Sequence, residues 1–459
     1  MVSFRGSGLN RKMRLGAPGF FPALLLILSL LSSLSVYAAS GRGRQMNWSR
    51  AEETESGQDL METQASMEAG WKDLRETETE TEMNDQIGCE NPIRTETETE
   101  IKEESLVQAR DPEVEKILSD MDLEQKVFQM FILTPEQLTG VDIATQAGED
   151  TRSAYLKSPV GGLIYMEQNI NSAHQIREML ISSQKIALEI TGLPLFLCVD
   201  EEGGPVCRVS GRGIADIPSI PDMRSVGETG DPQRASEIGD VIGTYLTDLG
   251  FNVNFAPVGD LVSDLSSSAI GRRSFSADPA VCGEMVSAFV QALQKHRLAA
   301  TVKHFPGQGD VSGDSHLGAV VSEKSLKELS EADLIPFEAG IKAGAELIMA
   351  GHLSFQNAPD GDLPASLSPF FLTDLLRGEM GFEGLIITDA MNMGALAEYN
   401  SGTASVLAVE AGADLLLMPT NFQAAYDDLL LGVLSGRISM DRIDESVRRI
   451  ISLKLRLMG

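Results

Sequence analysis

Cysteine, histidine and positive charge are all scarce in this chain. Four cysteines, Cys89, Cys198, Cys207 and Cys282, are spread over 459 residues. They are too few for a disulfide-built scaffold and lack the paired spacing of a metal-binding knuckle. Lys and Arg number 37 against 67 Asp and Glu, a net charge of −30. So acidic a chain repels phosphate backbones, which argues against a nucleic-acid partner. No glycine-rich phosphate turn follows the first apolar run, so the main mark of an open nucleotide-binding sheet is missing. Histidines number only five, yet two of them, His304 and His316, bound one short stretch.

The N-terminus is basic. Arg5, Arg11, Lys12 and Arg14 precede an apolar run from Phe20 to Val36, and Val36-Tyr37-Ala38 offers small residues for a signal peptidase. Residues 1–39 are read as a signal peptide or a signal anchor, since the run is almost long enough to span a bilayer. Either way the remainder is exported, secreted or held at the outer face of the cell membrane. Residues 40–110 cannot build a core. Positions 41–110 hold 18 acidic and 8 basic side chains, with TETETE occurring at Thr77–Glu82 and again at Thr95–Glu100. This composition predicts a disordered acidic Thr/Glu-rich linker.

From Asp111 to Gly459 strands alternate with helices. Apolar runs at Val127–Leu133, Gly162–Tyr165, Leu195–Val199, Val253–Ala256, Ala299–Val302, Glu346–Ala350, Leu385–Thr388 and Asp414–Met418 read as eight buried strands. Each after the first runs into a loop and then a helix. Asp231-Pro232 and Asp278-Pro279 mark helix starts, an Asp cap followed by proline in the first turn. Ser368-Pro369 opens another helix, ending near Gly381. The pattern predicts an α/β fold, a single (β/α)8 TIM barrel, with a doubly wound open sheet as the alternative.

In a barrel, polar residues that end the strands share one mouth. The third run ends in Val199-Asp200-Glu201-Glu202-Gly203-Gly204, with Arg208 close behind. The fourth leads to Asp260 and a long loop with Arg272 and Arg273. The fifth delivers Lys303 and His304, the sixth His352, and the seventh Asp389. Asp389 follows Leu385, Ile386, Ile387 and Thr388, so its carboxylate is rigid and half-desolvated, as suits a nucleophile. KHFPGQGDVSGDSH, Lys303 to His316, is a strand end breaking into a loop with Pro306, Gly307, Gly309 and Gly313. There Asp314 stands two residues from His316 and can orient its imidazole for proton transfer. A rigid carboxylate opposite a mobile proton donor fits displacement at a sugar's anomeric carbon.

These segments resemble a known family. VDEEGGPVCR, GRRSFS, KHFPGQGDVSGDSH, MAGHLSF, LPASLS and GFEGLIITDAMNMGAL, in this order, are similar to glycoside hydrolase family 3, and in particular to its single-domain β-N-acetylglucosaminidase branch. The resemblance covers about Asp111 to Gly459. It implies a retaining double displacement with Asp389 as nucleophile, His316 as acid/base and Asp314 as its partner. It likewise assigns Asp200, Arg208, Arg273, Lys303 and His304 to sugar binding at the −1 subsite. The implied partner is a GlcNAc-containing oligosaccharide, from peptidoglycan or chitin, bound by a monomer without cofactor or metal. Gln308 departs from the KHFPGHG form, and Pro205-Val206-Cys207 from the usual approach to the arginine. The alternatives are a β-N-acetylglucosaminide phosphorylase or β-glucosidase of the same family, a metal-dependent hydrolase using His304, His316, His352 and Asp314, and an inactive sugar-binding module.

Overall fold

The computed structural model describes residues 111–458 except 215–216, 266–269, 310 and 312–317. The expectations for residues 1–39 and 40–110, and for Asp314 and His316, therefore lie outside the described residues.

Eight parallel strands make one sheet: β1 Phe131–Leu133, β2 Gly162–Ile164, β3 Phe196–Val199, β4 Val253–Asn254, β5 Ala299–Phe305, β6 Leu347–Ala350, β7 Leu385–Thr388 and β8 Leu416–Leu417. Each pairs with its neighbour in sequence, and β1 also pairs with β8. A parallel bridge from Ile387 to Leu415 joins β7 to the start of β8 and closes the sheet into a (β/α)8 barrel. That closure excludes the doubly wound alternative, in which strand order reverses within an open sheet. Every strand residue is buried. Unbroken burial on both faces is why the strands read as continuous apolar runs rather than alternating ones.

The helix signals act as their chemistry requires. The Asp231 carboxylate accepts from Gln233 N (3.0 Å) at the start of the helix Pro232–Leu249. Asp278 accepts from Ala280 N (2.9 Å) and Val281 N (3.1 Å) at the start of Pro279–Lys295. Phe370–Glu379 follows Pro369 as expected, in wide turns, and Gly381 lies just beyond it at φ 65°.

One expectation needs correction. The run Val127–Leu133 is not all strand: Leu123–Gln129 is helical and only Phe131–Leu133 pairs in the sheet. The cause is a capping box, in which Asp122 accepts from Gln125 N (2.8 Å) and Gln125 Oε1 accepts from Asp122 N (3.0 Å). β1 also leads to a short helix, Pro135–Thr139, so the first unit resembles the others.

The barrel seam has a polar staple. Asp414, wholly buried just before β8, accepts from Ile386 N (2.9 Å) of β7 and from Ser446 Oγ (2.6 Å). Arg377 and Arg449 also donate to it. Ser446 and Arg449 belong to the C-terminal helix Met440–Met458, so one carboxylate ties that helix to both strands of the seam.

Candidate active site

Three consecutive acids after β3 divide by strand alternation, since neighbours on an extended backbone face opposite ways. Glu201 turns away from the mouth, wholly buried, accepting from Val209 N (2.7 Å), Ser210 N (2.9 Å) and Tyr245 OH (2.8 Å). It fastens the backbone immediately after Arg208. Asp200 and Glu202, two apart, share the other side, where both line a cavity. Between them and Arg208 the chain reverses through Gly203 and Gly204, both at positive φ (108° and 58°). A Cβ on Gly204 would lie 2.6 Å from Asp222, so glycine is required there.

At the end of β5 the register shifts between Lys303 and Phe305. This irregularity lets two successive residues, Lys303 and His304, both reach the cavity. Lys303 Nζ meets Asp200 Oδ1 at 2.7 Å and Glu202 Oε1 at 2.6 Å. Burial disfavours the Lys303 ammonium, but the Asp200 and Glu202 carboxylates outweigh it and raise its pKa above the usual lysine value. Arg273 grips Glu202 with two parallel bonds, Nε to Oε2 (2.7 Å) and Nη2 to Oε1 (2.8 Å). Burial works against charge on Glu202 as well, yet Arg273 and Lys303 hold its carboxyl far below the ordinary range.

Arg273 Nη2 also lies 3.2 Å from His304 Nε2, and His304 Nδ1 lies 2.7 Å from Asp260 Oδ2. A guanidinium can only donate, so Nε2 accepts and Nδ1 carries the proton toward Asp260. His304 is therefore the neutral Nδ1–H tautomer. Asp260, wholly buried behind it, also accepts from the backbone N–H of Gln308 at 2.6 Å. It thus ties the imidazole to the entrance of the loop that follows β5.

Asp389 stands at the end of β7, with its backbone N–H donating to Ala350 O (2.8 Å) and its Oδ1 accepting from Ala390 N (2.8 Å). Burial alone would raise its pKa. The Ala390 N–H and the Lys303 ammonium favour the charged form against burial, a proton taken up by the His304 or His352 ring would add to this, and the carboxyl lies below its ordinary value. His352 is buried at the end of β6, its Nδ1 2.7 Å from Ser366 Oγ and its Nε2 3.2 Å from Ala390 O. A carbonyl only accepts, so the proton is on Nε2, and burial lowers the ring's pKa and keeps it neutral.

The cavity at this mouth encloses about 340 Å³, a volume suited to a small ligand. Its charged wall is Asp200, Glu202, Arg208, Arg273, Lys303 and Asp389, and Ile164, Met166, Met349 and Met418 contribute an apolar side. Arg208 Nε is buried without a hydrogen-bond partner among the described residues. A buried donor left open on a cavity is placed to meet a ligand oxygen.

The same chain matches the glycosyl hydrolase family 3 N-terminal domain over residues 122–453. The chain belongs to glycosyl hydrolase family 3. It is similar to a β-hexosaminidase of Stenotrophomonas maltophilia (strain K279a), 36% identical over 265 residues that cover 56% of this chain and 76% of that protein. Among solved structures it is similar to a family 3 β-N-acetylglucosaminidase from Paenibacillus sp. FPU-7, at 36% identity and a TM-score of 0.69. That superposition covers 74% of this chain and 63% of the other, so this chain spans under two thirds of that relative. A β-N-acetylhexosaminidase from Beutenbergia cavernae DSM 12333 matches with 26% identity and a TM-score of 0.66, over 73% of this chain and 99% of that one.

Within this family 3 barrel, Asp200, Arg208, Arg273, Lys303, His304 and Asp389 all line the one cavity, although they span almost two hundred residues of sequence. Gln308, a departure from the family pattern, lines it too. Sequence reasoning did not single out Glu202 and Asp260 as site residues. Glu202 is the hub of the ion-pair network and Asp260 its buried end. Position was the available signal, since both follow barrel strands at the mouth.

Proposed function

We propose that this family 3 glycoside hydrolase is an exported, retaining exo-β-N-acetylglucosaminidase. It removes terminal β-linked GlcNAc from peptidoglycan fragments or chitooligosaccharides. The observation that carries this reading is Asp389: a carboxylate held ionised at a rigid strand end, opening on a cavity walled by Asp200, Arg208, Arg273 and Lys303. Carboxylate oxygens and guanidinium donors at close quarters suit a polyhydroxylated ring. The similarity to β-hexosaminidases supports the amino-sugar preference.

In the proposed first step an Asp389 oxygen bonds to the anomeric carbon as the bond to the departing oxygen breaks. His316, oriented by Asp314, gives that oxygen its proton. In the second step water attacks the same carbon, returns a proton to His316 and releases Asp389, with net retention of configuration. Asp200, Arg208, Arg273, Lys303 and His304 hold the sugar. The 3.2 Å contact of His304 with Arg273 is a long one that a sugar hydroxyl can replace. Export rests on the basic and apolar N-terminus and on the acidic stretch after it.

The test is a product profile on muropeptides and on chitooligosaccharides, each with and without inorganic phosphate. Free GlcNAc released stepwise from the non-reducing end, at a rate indifferent to phosphate, is the expected result. GlcNAc 1-phosphate as product, or release of glucose in preference to GlcNAc, would contradict it.

A further inference from the structure

The cavity wall holds one acid whose oxygens are both committed to protein cations. Glu202 is 1% exposed. Its Oε1 meets Lys303 Nζ at 2.6 Å and Arg273 Nη2 at 2.8 Å, and its Oε2 meets Arg273 Nε at 2.7 Å. Such a carboxylate has little left to offer a ligand, so it acts through its neighbours. Its grip takes the Nε–Nη2 edge of Arg273. It also pulls Lys303 to where Asp200 can share it, at 2.7 Å.

Charge gives this arrangement a second consequence. Among the described residues lining the cavity, Arg208, Arg273 and Lys303 stand against Asp200, Glu202 and Asp389, so the wall is balanced. Asp260 adds a negative charge behind His304, away from the wall. Without Glu202 the wall carries one excess positive charge, beside a carbon that becomes cationic as the glycosidic bond breaks.

Building on the double displacement proposed above, we propose that Glu202 is a positioning residue. It clamps Lys303 and Arg273 and cancels the surplus positive charge of the −1 subsite, so that the oxocarbenium-like transition state meets a balanced wall. The benefit is felt in the transition state and hardly in the neutral ground state. Removing the charge should lower kcat far more than it raises KM. It should also affect aryl glycosides and disaccharides alike, since the developing cation is common to both.

The decisive measurement compares two inhibitors of one shape, a cationic iminosugar of GlcNAc configuration and neutral GlcNAc. Glu202→Gln keeps the size and removes the charge. The Ki of the iminosugar should rise at least about tenfold in this variant while that of GlcNAc changes less than about threefold, because a missing unit charge a few Å away weakens only the cation's binding. Adding Lys303→Met to Glu202→Gln removes one cation with the one anion, so the charges of the wall balance again. The ratio of the two Ki values in the double variant should return to within about threefold of wild type, and that ratio decides the matter if the single variant does not fold. A ratio unchanged in Glu202→Gln, or displaced about tenfold in the double variant, would overturn the proposal. Labelling of Asp389 by a fluorosugar in wild type, Glu202→Gln and the double variant tests the double displacement separately. Labelling that persists while the Ki ratio fails to move refutes the role of Glu202 and leaves the mechanism standing.

Discussion

How much the removal of His316 costs depends on the leaving group. A nitrophenolate departs with little help, whereas a sugar alkoxide needs a full proton. His316→Ala should therefore lose about 10²- to 10⁴-fold in kcat/KM on a β-linked disaccharide and much less on a nitrophenyl glycoside. Asp314→Ala should show the same pattern more weakly, and the double variant should cost little beyond His316→Ala, since the two act as a unit. Equal losses on both substrates would place His316 in sugar binding and move the acid elsewhere. At this scale, legibility in sequence followed contrast. Asp389 stood out as a charge ending four buried residues, and Lys303-His304 as charge and imidazole closing an apolar run. Glu202 and Asp260 did not stand out, because each is one more acid in an acidic chain. Their roles arise only from pairing with Arg273, 71 positions away, and His304, 44 positions away.

The C-terminal helix carries a titratable group that sequence pattern hides. Lys454 sits on the buried face of Met440–Met458 beside Val447, Ile450 and Ile451, and is 1% exposed. Its Nζ donates to Gln129 Oε1 at 2.7 Å and lies 5.2 Å from the centre of the Phe196 ring. Burial drives its pKa from 10.5 down to about 7. Between those two values the unfolded chain holds a proton that the folded protein has released, so folding stability rises with pH across that window. The slope from one such group approaches about 1.4 kcal/mol per pH unit. Urea unfolding at pH 7.5 and pH 9.5 should show this rise in wild type and lose it in Lys454→Met. The same rise in both proteins would contradict the assignment. Element boundaries elsewhere were legible where local chemistry decided them, as at Asp231, Asp278 and Pro369. They were misread at Val127–Leu133, where apolar content was the same for helix and strand and the deciding cap at Asp122 lay just upstream. The register shift at Lys303 and Phe305 has no sequence signal, and it is what brings both Lys303 and His304 to the cavity.

For the whole molecule, the repeating strand–loop–helix spacing made the barrel legible, because parallel strands buried on both faces leave unbroken apolar runs. The contacts that make its closure were not legible. The seam includes the bridge Ile387 to Leu415, backbone bonds from Thr388 N to Leu415 O (3.0 Å) and Leu415 N to Ile386 O (3.0 Å), and Asp414, which opened the last apolar run in sequence yet serves as a buried acceptor for β7 and the C-terminal helix. Closure gives the site its form, since it turns strand ends far apart in sequence into one ring of side chains around a cavity. The central claim is that Asp389 on this ring bonds covalently to the sugar. The most direct measurement is mass spectrometry of proteolytic fragments after inactivation with a 5-fluoro derivative of an N-acetylglucosaminyl donor. The account predicts a single glycosyl adduct on Asp389, absent in Asp389→Ala, which should fold normally and lose nearly all turnover. An adduct on Asp200, Glu202 or any other carboxylate, or inactivation without a covalent adduct, would contradict it.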